Sequence, residues 1–194
     1  NAAFDRLWPD PTRMNLLDDS LSADLARSGR LDAAMTDRFL ALSRYAQGTG
    51  ADGILFTCSA FGPCIEACAA ALAPMPVLKP NEAMIEEACA AGRRIGLLAT
   101  FAPTLASMPP EFPKDVMLVP RLVEGAMAAL DAGDVETHDR LAVAAARDLA
   151  ACDAIALAQF SLAHVAEAVT AATGRQVFST PDSAVRKLRR LLAT

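Results

Sequence analysis

The sequence predicts an α/β fold with largely parallel sheets, assembled from two related halves. Two observations carry this reading. Short apolar runs bounded by turn residues alternate with helical periodicities along the chain, the pattern of parallel strands joined by crossover helices. One stretch is also written twice: Ala51-Asp52-Gly53-Ile54-Leu55-Phe56-Thr57-Cys58-Ser59 returns, altered, as Cys152-Asp153-Ala154-Ile155-Ala156-Leu157-Ala158-Gln159-Phe160, at an offset of 101 residues. The repeat recurs further on, where Val77-Leu78 with Pro80, Asn81 and Ala83 is echoed at an offset of 100 by Val177-Phe178 with Pro181, Asp182 and Ala184.

In chain order, the segment from Leu21 to Gln47 reads as helical, with Asp32 as a cap and Met35, Phe39, Leu42 and Tyr45 at helical spacing, and it ends at Gly48-Thr49-Gly50. The first repeat strand follows. After Pro63 the run from Ile65 to Leu72 forms a helix that Pro74 and Pro76 stop. Val77-Leu78 is a short strand, and Asn81 caps a helix to about Cys89, closed by Gly92. Arg94 to Ala99 is a buried strand ending in Thr100-Phe101-Ala102-Pro103-Thr104, and a strand from Val116 to Val119 comes next. Helices over 123–131 and 135–151 are separated by Gly133. The second repeat strand, a helix from Leu162 to Thr173, strand Val177-Phe178 and a helix from Pro181 complete the chain. The repeat places residues 1–92 with 176–194 in a first α/β domain and 93–175 in a second. Subtracting the offset from the strand at Ile95 places its counterpart ahead of Asn1, so an earlier strand is expected before residue 1.

Composition narrows the function. A chain of 194 residues buries a sizeable core. The net charge of −5 argues against a general nucleic-acid surface, and the one basic cluster, Arg186 to Arg190, reads as the solvated face of a last helix. No apolar run approaches the roughly 18 residues of a membrane span. Five cysteines, an odd number without a secretion signal, point to free thiols and a cytoplasmic setting. No metal site is expected from Cys58, Cys64 and Cys68, which lack metal-ligand spacing and sit in an apolar stretch. Walker, dinucleotide and nucleophile-elbow motifs are missing as well.

The chemistry concentrates where the repeated strands end, because ligands of open α/β sheets bind at the carboxyl ends of strands. Cys58 lies at such an end, followed by Ser59-Ala60-Phe61-Gly62-Pro63, small residues suited to a tight loop entering a helix. Backbone N–H groups and the helix dipole there favour a thiolate and hold a carboxylate without Lys or Arg. The alternative is an inert core cysteine, the common fate of a free thiol. The duplication of this strand end favours the functional reading.

The segment around Cys58, the strand from Ile95 to Thr100 with Thr104, and the paired second-half strand together resemble the aspartate/glutamate racemase superfamily. That group includes hydantoin racemase, maleate cis-trans isomerase and arylmalonate decarboxylase. The resemblance runs over essentially the whole chain and is most specific at Thr57-Cys58-Ser59. It implies two Rossmann-like parallel-sheet domains related by a pseudo-twofold, an active site in the cleft between them, no cofactor, a small carboxylate substrate and a homodimer. In the racemases, one cysteine from each half serves each face of the substrate α-carbon. Here the second cysteine falls on Gln159, which does not exchange protons at neutral pH. Cys152 precedes the strand and belongs at the opposite end of the sheet. Ser161 and His164 lie beyond Gln159, where His164 reads either as a group leaning toward the site or as a helix-surface residue.

By the same resemblance, Val119-Pro120-Arg121-Leu122-Val123-Glu124-Gly125 matches the stretch that carries an auxiliary acid in glutamate racemases. Glu124 is then a proton relay or, alternatively, a helix-N-terminal acid favoured by the dipole. Thr100 and Thr104 match ligand hydroxyls, with helix capping the alternative for Thr100. Glu82 reads as first-turn charge stabilisation and His138-Asp139 as surface. The expected substrate contacts are Thr57, Ser59, Ala60, Thr100, Thr104, Gln159, Phe160 and Ser161, with Cys58 and Glu124 catalytic. The expected activity is that of a cofactor-independent isomerase or racemase-like enzyme working beside a carboxylate. A one-cysteine decarboxylase or lyase and a non-catalytic ligand-binding protein on the same fold are the alternatives.

Overall fold

The computed structural model describes residues 1–193, apart from the side chains of Ser22, Ala26 and Ser59. Its elements run α1 (Ala2–Leu7), α2 (Ser20–Ser28), α3 (Ala33–Gly48), β1 (Ile54–Leu55), α4 (Gly62–Ala71), β2 (Val77–Leu78), α5 (Glu82–Ala91), β3 (Arg94–Ala99), α6 (Ala102–Ser107), β4 (Met117–Leu122), α7 (Ala126–Asp131), α8 (Val135–Ala146), β5 (Ala154–Leu157), α9 (Ala166–Thr173), β6 (Gln176–Ser179) and α10 (Thr180–Leu192). All strand pairs are parallel, as the alternation of strands and helices requires. The described chain forms two compact units, residues 1–80 with 184–193 and residues 81–183. Helix α5 and strand β6, which the repeat allots to a first domain, make their contacts in the second unit, where β6 pairs with β5.

In the first unit, the segment expected as one long helix is two, because Gly29 closes α2 in a left-handed conformation at φ 67°. Asp32 then caps α3 as expected, its carboxylate accepting the Met35 N–H at 2.9 Å. β1 and β2 form a two-stranded sheet with Ile54 opposite Val77 and Leu55 opposite Leu78. Met35 and Phe39 of α3, Cys64, Ile65 and Cys68 of α4, and Phe61, Leu72 and Val77 make one core cluster. Cys64 and Cys68 are therefore buried packing residues.

In the second unit the strand order is β4-β3-β5-β6, so β3 and β5 are central. Their apolar runs are buried on both faces, as in parallel sheets flanked by helices. β4 extends beyond the expected Val119 through Pro120 to Leu122. An edge position tolerates a proline that donates no N–H to the ladder. Two apolar clusters cover the faces, one built on α8, α9, Leu98, Ile155 and Leu157, the other on α5, Ile95, Leu97 and Ala156. Gly96 sits in the middle of β3 because a Cβ there would meet Leu149 at 3.0 Å. At the amino edge of the sheet, the Asp153 carboxylate accepts the N–H groups of Arg93 and Arg94, each at 2.8 Å. Those bonds, Arg94 first and then Arg93, hold its carboxyl below the usual carboxylate range.

Three local expectations are corrected. Asn81 stands at the start of α5 without a side-chain cap bond, and its amide donates to Glu111 at 3.4 Å instead. The helix expected from Val123 starts at Ala126, because Gly125 turns the chain at φ 77°. His138, expected at the surface, is fully buried: it shares a stripe at four-residue spacing with Ala142 and Ala146, both inside the core. No helix among the described residues is long and apolar enough to cross a membrane.

Candidate active site

In the first unit the expected site residues follow the end of β1. Phe56 keeps the parallel ladder for one more bond, its N–H donating to Leu78 at 3.1 Å, and Thr57 and Cys58 then leave the sheet. Cys58 is extended, at φ −124° and ψ 122°, and precedes a short 3-10 turn over Ser59–Phe61 that feeds α4. Both ends of this loop are pinned to one residue of α3. The ring of Phe39 stacks on Phe56 at 5.4 Å and packs on Phe61 at 5.0 Å, with Phe39 and Phe61 buried. Between these anchors Thr57, Cys58 and Ala60 are exposed, while the Ser59 side chain, expected to touch substrate, lies outside the described residues.

Of the five cysteines, Cys58 alone is exposed. Burial raises the thiols of Cys68, Cys89 and Cys152 above their ordinary value. Cys152 stands at the amino edge of the second sheet, before β5, as its place ahead of the strand implies.

In the second unit three of the expected residues lie at one edge. Thr100, Glu124 and Gln159 follow the carboxyl ends of β3, β4 and β5, which are neighbours in the sheet. The ladder continues to the last residues before them, Val123 N–H donating to Ala99 at 2.8 Å and Ala158 N–H to Leu98 at 3.0 Å. Gln159 Oε1 accepts both the Thr100 backbone N–H at 2.5 Å and the Thr100 hydroxyl at 2.8 Å. An N–H donor requires the oxygen end of the amide, so the Gln159 orientation is fixed and its NH2 group is the end left for a ligand. Thr100 is buried, and its hydroxyl serves Gln159 and not the start of α6, where Phe101 is the cap residue without a side-chain bond.

The remaining expected residues divide. Glu124 is exposed in the turn between β4 and α7, ahead of the helix and not inside its first turn. Thr104 is half-buried in α6, its N–H bonded to Phe101 at 3.1 Å. Phe160 is exposed and Ser161 half-buried at the start of the 3-10 turn Phe160–Val165 that follows Gln159. Phe101, also exposed, flanks Thr100 as Phe160 flanks Gln159, so an apolar ring adjoins each member of the pinned pair in the chain. Arg121, the cation at the end of β4, is paired with Asp148 at 2.7 Å.

His164 does not stand free beyond Gln159. Its Nε2 is 2.7 Å from Asp139 Oδ1, which also meets His138 Nδ1 at 2.8 Å, and the two imidazoles stack at 5.9 Å. Burial works against the Asp139 carboxylate, but hydrogen bonds from His138 and His164 outweigh it and keep the carboxyl below its usual range. Sequence offered one signal for this group, the place of His138 on the buried stripe of α8.

With this fold in hand, comparison with known proteins identifies the lineage. The sequence matches the Asp/Glu/hydantoin racemase family over residues 1–188, and the chain belongs to that family. No curated protein matches the sequence. Among solved structures, the chain resembles an aspartate racemase homologue from Pyrococcus horikoshii, with a TM-score of 0.73 at 14% identity over 100% of this chain and 92% of that one. It resembles arylmalonate decarboxylase with a TM-score of 0.61 at 19% identity, covering 81% of this chain and 76% of the other. A glutamate racemase from Francisella tularensis in complex with D-glutamate gives 0.55 at 13% identity, covering 90% and 76%. At these identities the structures share the fold.

Proposed function

We propose that this chain is a cofactor-independent enzyme acting at the carbon beside a carboxylate of a small acid, such as an amino acid, a hydantoin or a dicarboxylate, with Cys58 as acid/base or nucleophile. The observation that carries the reading is Cys58 itself: in a chain of the racemase family, the one exposed cysteine lies on the loop leaving a parallel strand. Gln159, at the corresponding repeat position, donates its NH2 group to a carboxylate or enediolate oxygen of the substrate. Exposed Glu124 serves as the auxiliary acid, and Thr57, Ala60, Thr104, Phe160 and Ser161 border the substrate.

The pinned Gln159 amide favours one-sided chemistry over two-thiol racemisation. A single thiol delivers a proton to one face of a carbanion after decarboxylation, or adds to a double bond so that rotation and elimination follow. Either route uses one sulfur and leaves the amide as a fixed donor. The test is proton NMR in D2O with amino dicarboxylates, hydantoins, maleate and substituted malonates, with Cys58→Ala as the control. Cysteine-dependent α-proton exchange, double-bond isomerisation or loss of carbon dioxide supports the proposal and identifies its reaction class. Saturable binding of these acids that produces no turnover and does not depend on Cys58 favours the binding-protein alternative.

A further inference from the structure

We propose that His138, Asp139 and His164 form a binding site for a divalent transition ion of the zinc type, separate from the chemistry of Cys58. The three ligand atoms, one from each side chain, lie within 4.8 Å of one another. Asp139 Oδ1 already collects a nitrogen from each imidazole, at 2.8 Å from His138 and 2.7 Å from His164, with the rings held 20° from parallel. Two imidazoles and a carboxylate suit zinc, cobalt or nickel and are a poor set for magnesium or calcium, which take oxygen donors. Three protein ligands with solvent in the fourth position is the pattern of an open zinc site. Solvent reaches this one, because the His164 side chain is half exposed and Asp139 borders an open groove on α8.

The geometry asks for a small adjustment. With bonds of about 2.0–2.1 Å, neighbouring ligand atoms of a tetrahedral ion stand about 3.3 Å apart, so each nitrogen–oxygen separation must lengthen by about 0.5 Å, through movement of part-exposed Asp139 and His164. His164 sits on the surface of a short 3-10 turn and can move; His138 is fixed in the core. The protons also balance. The ion takes the place of the two hydrogens shared with Asp139: the His138 proton moves from Nδ1 to Nε2, and half-exposed His164 passes its proton from Nε2 to Nδ1. The His138 Nε2 is buried with no partner among the described residues, so the exchange creates an unsatisfied donor and works against binding. The bound ion would tie α8 to the turn that follows Gln159.

The test is titration of the whole chain with cobalt(II), read by its visible d–d absorption, followed by displacement with zinc and by melting curves with and without zinc. The expected result is one saturable cobalt site with no thiolate charge-transfer band, unchanged in Cys58→Ala. Affinity should fall more than about 100-fold in His164→Ala, beyond the 10- to 100-fold typical of an outer-shell partner. Zinc should raise the melting temperature of the parent but not of His164→Ala. Asp139→Asn, which keeps an acceptor for both rings, gives a second variant with the same expected loss. Absence of a saturable d–d signal at micromolar cobalt overturns the proposal. So does binding that survives both His164→Ala and Asp139→Asn, or binding that disappears in Cys58→Ala.

Discussion

Replacing Gln159 separates its structural work from its proposed ligand work. In Gln159→Leu the Thr100 N–H loses its acceptor at a residue only 5% exposed, which costs about 1–3 kcal/mol for an orphaned donor. The Thr100 hydroxyl loses a further bond of about 0.5–1.5 kcal/mol, although it can rotate toward another acceptor. Gln159 is itself only partly buried, and water can offset part of this, so the expected loss is about 2 kcal/mol. Gln159→Glu keeps the oxygen and strengthens both bonds with a charge, but removes the NH2 donor and places a negative group where a carboxylate would dock. The assay is native-state hydrogen exchange of the Thr100 amide, paired with turnover or binding of the acid identified by NMR. Thr100 should exchange at least about tenfold faster in the Leu variant, the equivalent of about 1.4 kcal/mol, and no faster in the Glu variant; both variants should lose function. Unchanged Thr100 exchange in Gln159→Leu would refute the hydrogen-bond argument, and wild-type function in Gln159→Glu would refute the donor role.

The other predictions are simpler. Gly96→Ala places a methyl 3.0 Å from Leu149 and should destabilise the second unit by about 1–3 kcal/mol, read from the urea midpoint by circular dichroism. Asp153 has a carboxyl lowered by the N–H groups of Arg94 and Arg93, so its contribution is present above the unfolded value of about 3.9 and lost as pH falls through the lower folded value. The urea midpoint of Asp153→Asn should therefore drop less between pH about 5 and pH about 2 than that of the parent. Phe39→Leu removes two aromatic contacts worth about 0.5–1.5 kcal/mol each beyond area burial. Trp8, the single tryptophan and part of the first unit, should report earlier unfolding by its fluorescence. In the native parent, iodoacetamide should modify Cys58 ahead of the other four cysteines, which mass mapping checks directly.

Strand β3 was legible in the sequence to the residue, because an apolar run between charged and polar ends has few other uses inside a parallel sheet. β4 was read short because Pro120 signals a strand end unless the strand is known to be at an edge, and edge position is a property of sheet order. The break after α2 turned on Gly29, a single left-handed residue inside an otherwise helical stretch. Cys58 and Gln159 were visible as paired strand ends through the repeat. The bond from Gln159 to Thr100 was not, since it joins residues 59 apart on strands that become neighbours only once β3 and β5 pair. The His138–Asp139–His164 group was hidden for the same reason, its members being brought together by packing of α8 against the turn after Gln159.

The aromatic clamp on Phe39 also bears on when the Cys58 loop pays its entropy. Fixing a residue's backbone costs about 1–2 kcal/mol, and the four residues from Thr57 to Ala60 lie between two rings anchored on the same helix. The two ends of that loop are fixed as the first unit folds, against the burial of Phe39 and Phe61, and are not fixed again when a ligand arrives. A small acid has few atoms with which to offset the freezing of a floppy loop. On the proposed function, a loop already held at both ends would leave so small a molecule less of its receptor to organise.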